Sequence, residues 1–460
     1  MSHKNIRGLA RLAAFSLCFV LVALLGNFFY LQTDSYARMT LLEMQKRTDL
    51  DLVFVGSSIV RDHFNNDLIT RETGRESFSA TIPCLSLQGS IAILKELFRT
   101  NHPRDVVLVV EPYTFETVRE GIEAEDRMMP FLSDPGNMLS YYRSLVREDG
   151  WYMDRILLYR DFPVQSPYDV YKTLALRLCP EAAFARMKKD PVARYMGRGF
   201  VRYETKQSAE KDVRHKLKRQ HTGYTYELFD RSKELLLSCR DLCTKNGARF
   251  MIMIYPNMTV HNLAEPTFLA YNESLTRFCR EQEIPLCNFT LARDTLLPDL
   301  DAYYFDIYHL NGEGADLFSA SVARYFRLRD EGRDLSPYFY PDSEQYLASI
   351  RKIPNVWLER YEGHHKQSWE QTPPLPVPEK GQVLYLANCN HGPRIHPRYR
   401  FSLVPPDGPE RPLFENDTGI CLLDEASLEG QTLRVEAISP VNTALYELTP
   451  AMRDKLWRKL

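Results

Sequence analysis

Apolar residues follow three different patterns along this chain, and each pattern predicts a different kind of structure. An uninterrupted apolar run, Leu12–Leu31, comes first. Between Asp51 and Leu328, short apolar runs alternate with stretches of helical periodicity, as in domains where strands and amphipathic helices alternate. After Gly381 the pattern changes to short strands separated by turn-rich segments. The chain is therefore predicted to contain an apolar helix, an α/β domain and a small β-rich domain.

The N-terminal run has the length of a membrane-spanning helix, since about 20 apolar residues cross the hydrocarbon core of a bilayer. It is longer than the apolar region of most signal peptides, and no small-x-small cleavage site follows it. We therefore favour an uncleaved anchor, residues 1–34, over a cleavable signal peptide. Lys4, Arg7 and Arg11 precede the run, so the positive-inside rule places them in the cytoplasm. The chain after about Asp34 then lies outside the cytoplasmic membrane, in the periplasm of a bacterium.

The middle of the chain predicts a parallel sheet with helices on both sides, because repeated alternation of strands and helices is typical of that arrangement. Continuous apolar strands also suit a sheet that is buried on both faces. A long amphipathic helix is predicted from Thr225 to Gly247, and a final helix from about Gly312 to Leu328. The predicted strands are Asp51–Val55, Ser77–Ile82, Asp105–Glu111, Ala248–Pro256 and Ile284–Thr290.

Domain boundaries follow from the same patterns. The α/β domain is predicted over residues 35–335, with an insertion of helices and loops at 115–224. The end of the insertion, Arg186–Arg219, is basic, and we interpret it as a solvated helical face rather than a contact for anionic lipid or acidic glycan. Residues 336–380 form a connecting segment with a proline-rich linker, and residues 381–460 form the β-rich domain.

Overall composition is that of a globular protein, with 44% hydrophobic and 26% charged residues. A formal net charge of −2 provides no electrostatic argument for binding nucleic acid. The nine cysteines contain no CxxC pair and no zinc-finger spacing. Composition and cysteine spacing therefore indicate neither a nucleic-acid partner nor a metal centre.

Two short motifs together suggest nucleophilic catalysis. The stretch DLVFVGSSIVRD places Gly56, Ser57 and Ser58 directly after the first strand, at the edge of a parallel sheet where ligands bind. Because serine is a weak nucleophile, it needs a base that is oriented by a third group. Asp306 and His309 lie three residues apart before the last helix, a spacing that lets the carboxylate fold back onto the imidazole. The sequence thus predicts a serine, histidine and aspartate brought together from distant loops.

These motifs resemble those of the SGNH (GDSL-type) hydrolase superfamily, over about residues 51–328. The match is greatest to its membrane-anchored branch, which includes DltD and alginate O-acetyltransferase-like proteins. The resemblance implies a three-layer, flavodoxin-like α/β fold. It also implies that Ser58 is the nucleophile and a backbone N–H donor to the oxyanion, that His309 is the general base, and that Asp306 orients it. The sequence contains no phosphate loop, dinucleotide fingerprint or clustered set of metal ligands, so no metal ion or other cofactor is expected.

The middle motifs of that superfamily are altered here. Cys84 stands where a glycine often supplies a second oxyanion donor, and Glu111 and Tyr113 stand near the position of an asparagine. Tyr113 is a possible donor, and Glu111 and Tyr113 can equally be structural. Asn257 ends a strand on the same edge and either contacts substrate or forms a turn. Together with Gly56 and Ser57, these residues are the candidates for oxyanion and substrate contacts.

Three charged or titratable residues follow Ser58 closely, and the sequence suggests a role for each. His63, on the helix after Ser58, is interpreted as a surface or capping histidine rather than a catalytic one. Arg61 and Asp62 are expected either to pair with each other or to line the mouth of the site.

Three functions are compatible with the sequence. We favour an O-acyltransferase that moves an acyl group, expected to be acetyl, through Ser58 to a hydroxyl of a cell-surface glycan or exopolysaccharide. Because activated acyl thioesters are cytosolic, this function requires a multispanning membrane O-acyltransferase that relays the acyl group. The alternatives are a carbohydrate esterase or deacetylase with the same triad, and a non-catalytic scaffold of a glycan-modifying complex.

Overall fold

A computed structural model describes residues 3–30, 35–111, 114, 125, 128–149, 166–204, 226–264, 266–361 and 375–457. These residues form two compact units. The first comprises the described residues of 1–206, 227–256 and 274–338, and the second those of 207–226, 257–273 and 339–460.

The helices in the described part of the chain, numbered in order, are bounded as follows. They are α1 (His3–Tyr30), α2 (Ser35–Lys46), α3 (Ser58–His63), α4 (Asn66–Thr73), α5 (Leu87–Leu97), α6 (Pro135–Asp149), α7 (Pro167–Leu178), α8 (Pro180–Met187), α9 (Asp230–Lys245), α10 (Thr259–Ala264), α11 (Pro266–Glu281), α12 (Gly312–Asp330), α13 (Ser343–Ser349) and α14 (Pro450–Trp457).

The first helix, α1, contains the predicted apolar run. Its segment Ile6–Gly26, of 21 residues, is long and apolar enough to cross a membrane, and only 6% of its most apolar stretch is buried within the protein. Exposed side chains such as Phe15 and Leu12 form an apolar surface that water solvates poorly. The protein therefore has one such helix near its N-terminus, among the residues described.

A five-stranded parallel sheet forms the core of the first unit. Its strands lie in the spatial order β2-β1-β3-β6-β7. Strand β1 lies between β2 and β3: its Leu52 pairs with Ser77 of β2 and Asp105 of β3, and every residue of these three strands is buried. The first unit's strands are β1 (Leu52–Gly56), β2 (Ser77–Thr81), β3 (Asp105–Val110), β4 (Ala193–Gly197), β5 (Phe200–Tyr203), β6 (Arg249–Ile254) and β7 (Leu286–Asn288).

This strand order determines where a ligand site can form. The chain moves from β1 to β2 on one side and then returns past β1 to β3, so successive connections diverge between β1 and β3. Right-handed crossovers place α3 and α4 on one face and α5 on the other. Consistently, α12 packs on α3 and α4, whereas α9 and α6 pack on α5. The carboxyl ends of β1 and β3 therefore form the crevice in which open parallel sheets bind ligands.

The predicted mixed α/β character and the parallel sheet are confirmed, with small changes in element bounds. The long amphipathic helix is α9, which begins at Asp230 rather than near Thr225, because Phe229 before it has extended backbone angles. An acidic first residue also suits the positive end of the helix dipole.

The described part of the insertion differs from the prediction, because it contains a β-hairpin as well as helices. Strands β4 and β5 pair antiparallel, and the turn between them uses positive φ at Gly197, Arg198 and Gly199. A Cβ on Gly199 would lie 2.0 Å from the carbonyl oxygen of Ser79, so only glycine allows the turn to pack against β2. Residues 205–225 lie outside the described residues.

The part of the basic run Arg186–Arg219 that lies in the hairpin is not a solvated helical face, and residues 205–219 lie outside the described residues. Arg198 forms ion pairs with Asp67 and Glu76, and Arg202 forms one with Asp316. These arginines hold the hairpin against α4, β2 and α12, so their charges are used within the fold.

The second unit contains the β-rich domain, a pair of antiparallel sheets. One sheet has the order β11-β10-β13-β14 and the other β12-β9-β8. Buried residues of both sheets, including Trp357, Phe401 and Val435, form one core. The strands are β8 (Asn355–Arg360), β9 (Gln382–Asn390), β10 (Arg398–Val404), β11 (Arg411–Asn416), β12 (Ile420–Asp424), β13 (Thr432–Ile438) and β14 (Thr443–Leu448).

This sandwich begins earlier in the chain than the predicted boundary at Gly381. Strand β8 precedes the proline-rich linker, yet it pairs with β9, and Trp357 lies opposite Asn388. The indole of Trp357 is almost fully buried, which explains why the strand belongs to the same core. Pro373 and Pro374 of the linker lie outside the described residues.

Candidate active site

The turn after β1 presents Ser58 at the crevice between β1 and β3. Ser57 is the N-cap of α3, and its side chain accepts a hydrogen bond from the Ile59 N–H at 3.3 Å. Ser58 is therefore the first residue of the helix. A Cβ on Gly56 would lie 2.7 Å from both the Val109 carbonyl oxygen and a Val60 methyl group, so glycine is needed where the strand turns. The Gly-Ser-Ser sequence thus follows from close packing at the strand end.

Ser58, His309 and Asp306 lie in one hydrogen-bonded row. The Ser58 Oγ is 2.8 Å from the His309 Nε2, although the two residues are far apart in the sequence. On the other side of the ring, Nδ1 lies 2.9 Å from Oδ2 and 3.1 Å from Oδ1 of Asp306. An ionised Asp306 only accepts hydrogen bonds, so Nδ1 carries the proton and Nε2 is free to accept the Ser58 hydroxyl proton. The arrangement is that of a nucleophile, a base and an orienting acid.

A compact loop holds Asp306 and His309 in this position. The Asp306 Oδ1 also accepts the backbone N–H groups of Tyr308, at 2.7 Å, and His309, at 2.8 Å. The ends of the loop are joined by a hydrogen bond from the Asn311 N–H to the Tyr303 carbonyl, at 2.8 Å. Asn311 then caps α12 by accepting the Gly314 N–H at 2.9 Å. Backbone N–H groups therefore hold the Asp306 carboxylate in place, in addition to its contact with the imidazole.

The electrostatics of the row favour a charged imidazole. Burial by itself lowers the pKa of His309, but the hydrogen bond that its ring donates to Asp306 and the charges of Asp62 and Asp306 outweigh burial and raise it above its ordinary value. Burial likewise opposes ionisation of Asp306, yet its hydrogen bonds with His309 and the backbone lower its pKa. The ion pair that forms when His309 accepts a proton is thus stabilised.

A second carboxylate, that of Asp62, lies close to the same ring, although the sequence indicated only a pair with Arg61 or a place at the mouth of the site. The Asp62 Oδ2 is 4.0 Å from the His309 Nε2, and the Asp62 side chain is only 1% exposed. Arg61 pairs with it through two hydrogen bonds, at 2.6 and 2.9 Å, and also donates to the Tyr203 hydroxyl at 3.3 Å. The expected pairing of Arg61 with Asp62 is therefore present.

His63 is not a surface histidine, contrary to the sequence interpretation. It is fully buried, and its Nε2 accepts the Leu310 N–H at 3.0 Å. Burial holds its pKa well below the ordinary value, so the ring stays neutral. Its ring lies 6.4 Å from that of His309, centroid to centroid. His63 therefore supports the backbone directly after the predicted base, a role that no sequence motif indicates.

Of the remaining candidates, Glu111 and Cys84 follow strands of the parallel sheet. Glu111 follows β3, next to the turn of β1, and the Ser57 hydroxyl hydrogen-bonds to its carboxylate; burial raises the pKa of Glu111. Cys84 follows β2 and is exposed, with a φ of 54°. This left-handed conformation favours glycine, the residue that the resemblance leads one to expect there. Tyr113 lies outside the described residues, and Asn257 belongs to the second unit.

No protein-family model matches this chain, and no curated protein has a significantly similar sequence. The chemical interpretation of the site therefore depends on its own geometry and on the two motifs that form it.

Proposed function

We propose that this protein is a membrane-anchored, SGNH-type serine O-acyltransferase whose active site lies outside the cytoplasmic membrane. The observation that carries the proposal is the contact of 2.8 Å between the Ser58 Oγ and the His309 Nε2, with Asp306 on the opposite ring nitrogen. A nucleophile, a base and an acid in this order are the groups that acyl transfer needs.

Two features of the fold support membership of the SGNH superfamily. The strand order β2-β1-β3-β6-β7 is the one that a flavodoxin-like, three-layer fold requires. In addition, the serine follows the first strand of this sheet and the Asp-x-x-His motif precedes the final helix α12. Both positions agree with what the sequence resemblance implies.

In the first half of the proposed reaction, His309 Nε2 takes the hydroxyl proton while Ser58 Oγ attacks the carbonyl carbon of the acyl donor. The Ser58 backbone N–H is a donor to the resulting oxyanion. When the carbonyl re-forms, the bond to the leaving group breaks, and His309 returns the proton to that group. The product is an ester between the acyl group and Ser58.

In the second half, an acceptor hydroxyl gives its proton to His309 and attacks the acyl-serine. Collapse of this intermediate releases Ser58, which recovers its proton from His309. Asp306 remains ionised throughout, and it holds the ring and stabilises its charged form. The chemistry is the same for a sugar hydroxyl and for water, so the acceptor distinguishes a transferase from an esterase.

The anchor limits the possible source of the acyl group. With α1 in the membrane and Lys4, Arg7 and Arg11 in the cytoplasm, the Ser58 site lies outside, where activated thioesters are absent. We therefore infer that a multispanning membrane O-acyltransferase supplies the acyl group, expected to be acetyl. The proposed acceptor is a hydroxyl of a cell-surface glycan or exopolysaccharide.

The proposal is tested by incubating the full chain, in detergent, with an activated acetyl ester and then with acetylatable oligosaccharides. Intact-mass and peptide analysis should show acetyl on Ser58 and its transfer to sugar, whereas Ser58→Ala and His309→Ala should show neither. Ser238→Ala, on the outer part of α9, is the matched control and should behave as the wild type. Release to water alone would identify an esterase, and equal labelling of Ser58→Ala would reject the proposed nucleophile.

A further inference from the structure

Two arginines meet at the end of the apolar helix α1. Arg177, on α7, donates a hydrogen bond to the carbonyl oxygen of Phe28, and its guanidinium carbon lies 5.1 Å from the Phe28 ring centroid. Arg38, on α2, lies 4.4 Å from the ring centroid of Phe131, and Arg177 lies 5.0 Å from the same ring. The two guanidinium groups therefore share one aromatic ring.

Their positive charges are close enough to oppose each other. Burial, together with the charge of Arg177, lowers the pKa of Arg38 to about 10. Burial also lowers the pKa of Arg177 to about 10. Both groups stay charged near neutral pH, so this corner of the protein concentrates positive charge in a poorly hydrated place.

Arg38 has polar atoms that nothing in the described part of the chain satisfies. Its Nε and Nη1 are buried from solvent and have no hydrogen-bond partner among the described residues. Since a buried donor without an acceptor is costly, these atoms indicate a missing acceptor. Contact with an aromatic face does not replace such an acceptor.

The position of the pair indicates which acceptor is present. Phe28 lies two residues after Gly26, the end of the apolar segment, which is about 3 Å along the helix axis. Phe28, Phe29 and Tyr30 follow that segment, and aromatic residues are common at the level of lipid headgroups. Headgroups at this level carry phosphate, whose geometry a guanidinium matches with two parallel hydrogen bonds.

We propose that Arg38 and Arg177 bind a phosphate group at the end of α1, and that the headgroup of an anionic phospholipid supplies it. This lipid site would set the depth and orientation of the first unit at the membrane surface. It depends on α1 lying in a bilayer, but it is independent of the chemistry at Ser58.

The test measures the affinity of the full chain for phosphatidylglycerol in maltoside micelles, with a phosphate-free galactolipid as the reference. Wild type should bind phosphatidylglycerol more tightly than galactolipid, and Arg38→Gln should weaken that binding by about tenfold or more, as expected for a lost charged hydrogen bond. Arg240→Gln, which removes a guanidinium paired with Asp241 on α9, should leave the affinity unchanged. Arg38→Lys keeps the positive charge but loses the two parallel N–H donors of the guanidinium, so its affinity for phosphatidylglycerol should lie between those of wild type and Arg38→Gln.

A further arm separates the two sources of phosphate. If millimolar inorganic phosphate displaces the lipid from wild type, the phosphate group alone is recognised; if it does not, the intact lipid is the ligand, and either result supports the site. Equal affinity for phosphatidylglycerol and galactolipid would overturn the proposal. The proposal would also be overturned if Arg38→Lys and Arg38→Gln both bound phosphatidylglycerol as tightly as wild type. Circular dichroism would check that both variants are folded.

Discussion

The Asp62 carboxylate lies 4.0 Å from the Nε2 of His309, on the same side of the ring as the Ser58 hydroxyl. Its negative charge raises the pKa of His309, which must be neutral to accept a proton. Activity should therefore rise with pH through the pKa of His309. In Asp62→Asn that pKa should fall, because the charge is lost and Arg61 then acts on His309 without its partner. The pH–rate profile for ester turnover should shift to lower pH.

Asp67→Asn is the control for this shift. Asp67 is an exposed acid at the start of α4 that pairs with Arg198. Its charge is not among those that shift the pKa of His309, so its loss should leave the pH–rate profile unchanged. An unchanged profile in Asp62→Asn would show that Asp62 does not act on the base.

The two adjacent serines should have separable effects. Ser58→Ala should lower kcat/KM for an activated ester by about 10³-fold or more, because the nucleophile is removed. Ser57→Ala should retain acylation but lose about 1 kcal/mol of unfolding free energy, since Ser57 caps α3. Steady-state kinetics and urea unfolding of both variants make the comparison. Loss of acylation in Ser57→Ala alone would move the nucleophile to position 57.

The neutral, buried His63 accepts the Leu310 N–H, so replacing His63 should affect both stability and activity. His63→Phe removes the acceptor of the Leu310 N–H and should cost about 1–3 kcal/mol of unfolding free energy. Because Leu310 follows His309, the same variant should also lower kcat. His63→Gln offers a side-chain oxygen in place of the imidazole nitrogen and should recover part of both losses. A stable His63→Phe with normal kcat would contradict this support.

At the opposite end of the sheet, Asp105 should give the fold a measurable dependence on pH. Burial opposes its ionisation, but hydrogen bonds from Arg249 and Arg329 and the charge of Arg75 hold its pKa to about 2. A carboxylate with a lowered pKa stabilises the fold above its unfolded pKa, near 4, and loses that contribution as pH falls toward 2. The contribution at neutral pH is about 2 kcal/mol.

The corresponding experiment compares wild type and Asp105→Asn by urea unfolding from pH 7 to pH 2. The difference in unfolding free energy should be largest at neutral pH and should shrink below about pH 4. Glu181→Gln, which alters an exposed pair with Lys46, should show little difference at any pH. A constant difference for Asp105→Asn would exclude the pKa as its cause.

Local sequence patterns were enough to predict α1, the parallel strands and the positions of Ser58, Asp306 and His309. Those features depend on short-range properties: apolar run length, strand and helix periodicity, and a glycine at a strand end. The assignment of catalytic roles to them remains a prediction. Strand β8 escaped detection because its pairing partner β9 and the core that buries Trp357 lie beyond the linker in the sequence.

The surroundings of the motif residues could not be predicted from local sequence patterns. Those patterns predict that an apolar helix precedes an α/β domain and that a serine follows its first strand. The burial of His63 and the nearness of Asp62 to His309 arise where α3, α12 and the loop before α12 pack together. These environments are formed by residues far apart in the chain. Burial and the distances between charged groups then determine the charge states of His63 and His309. Short-range periodicity carries no record of those distances.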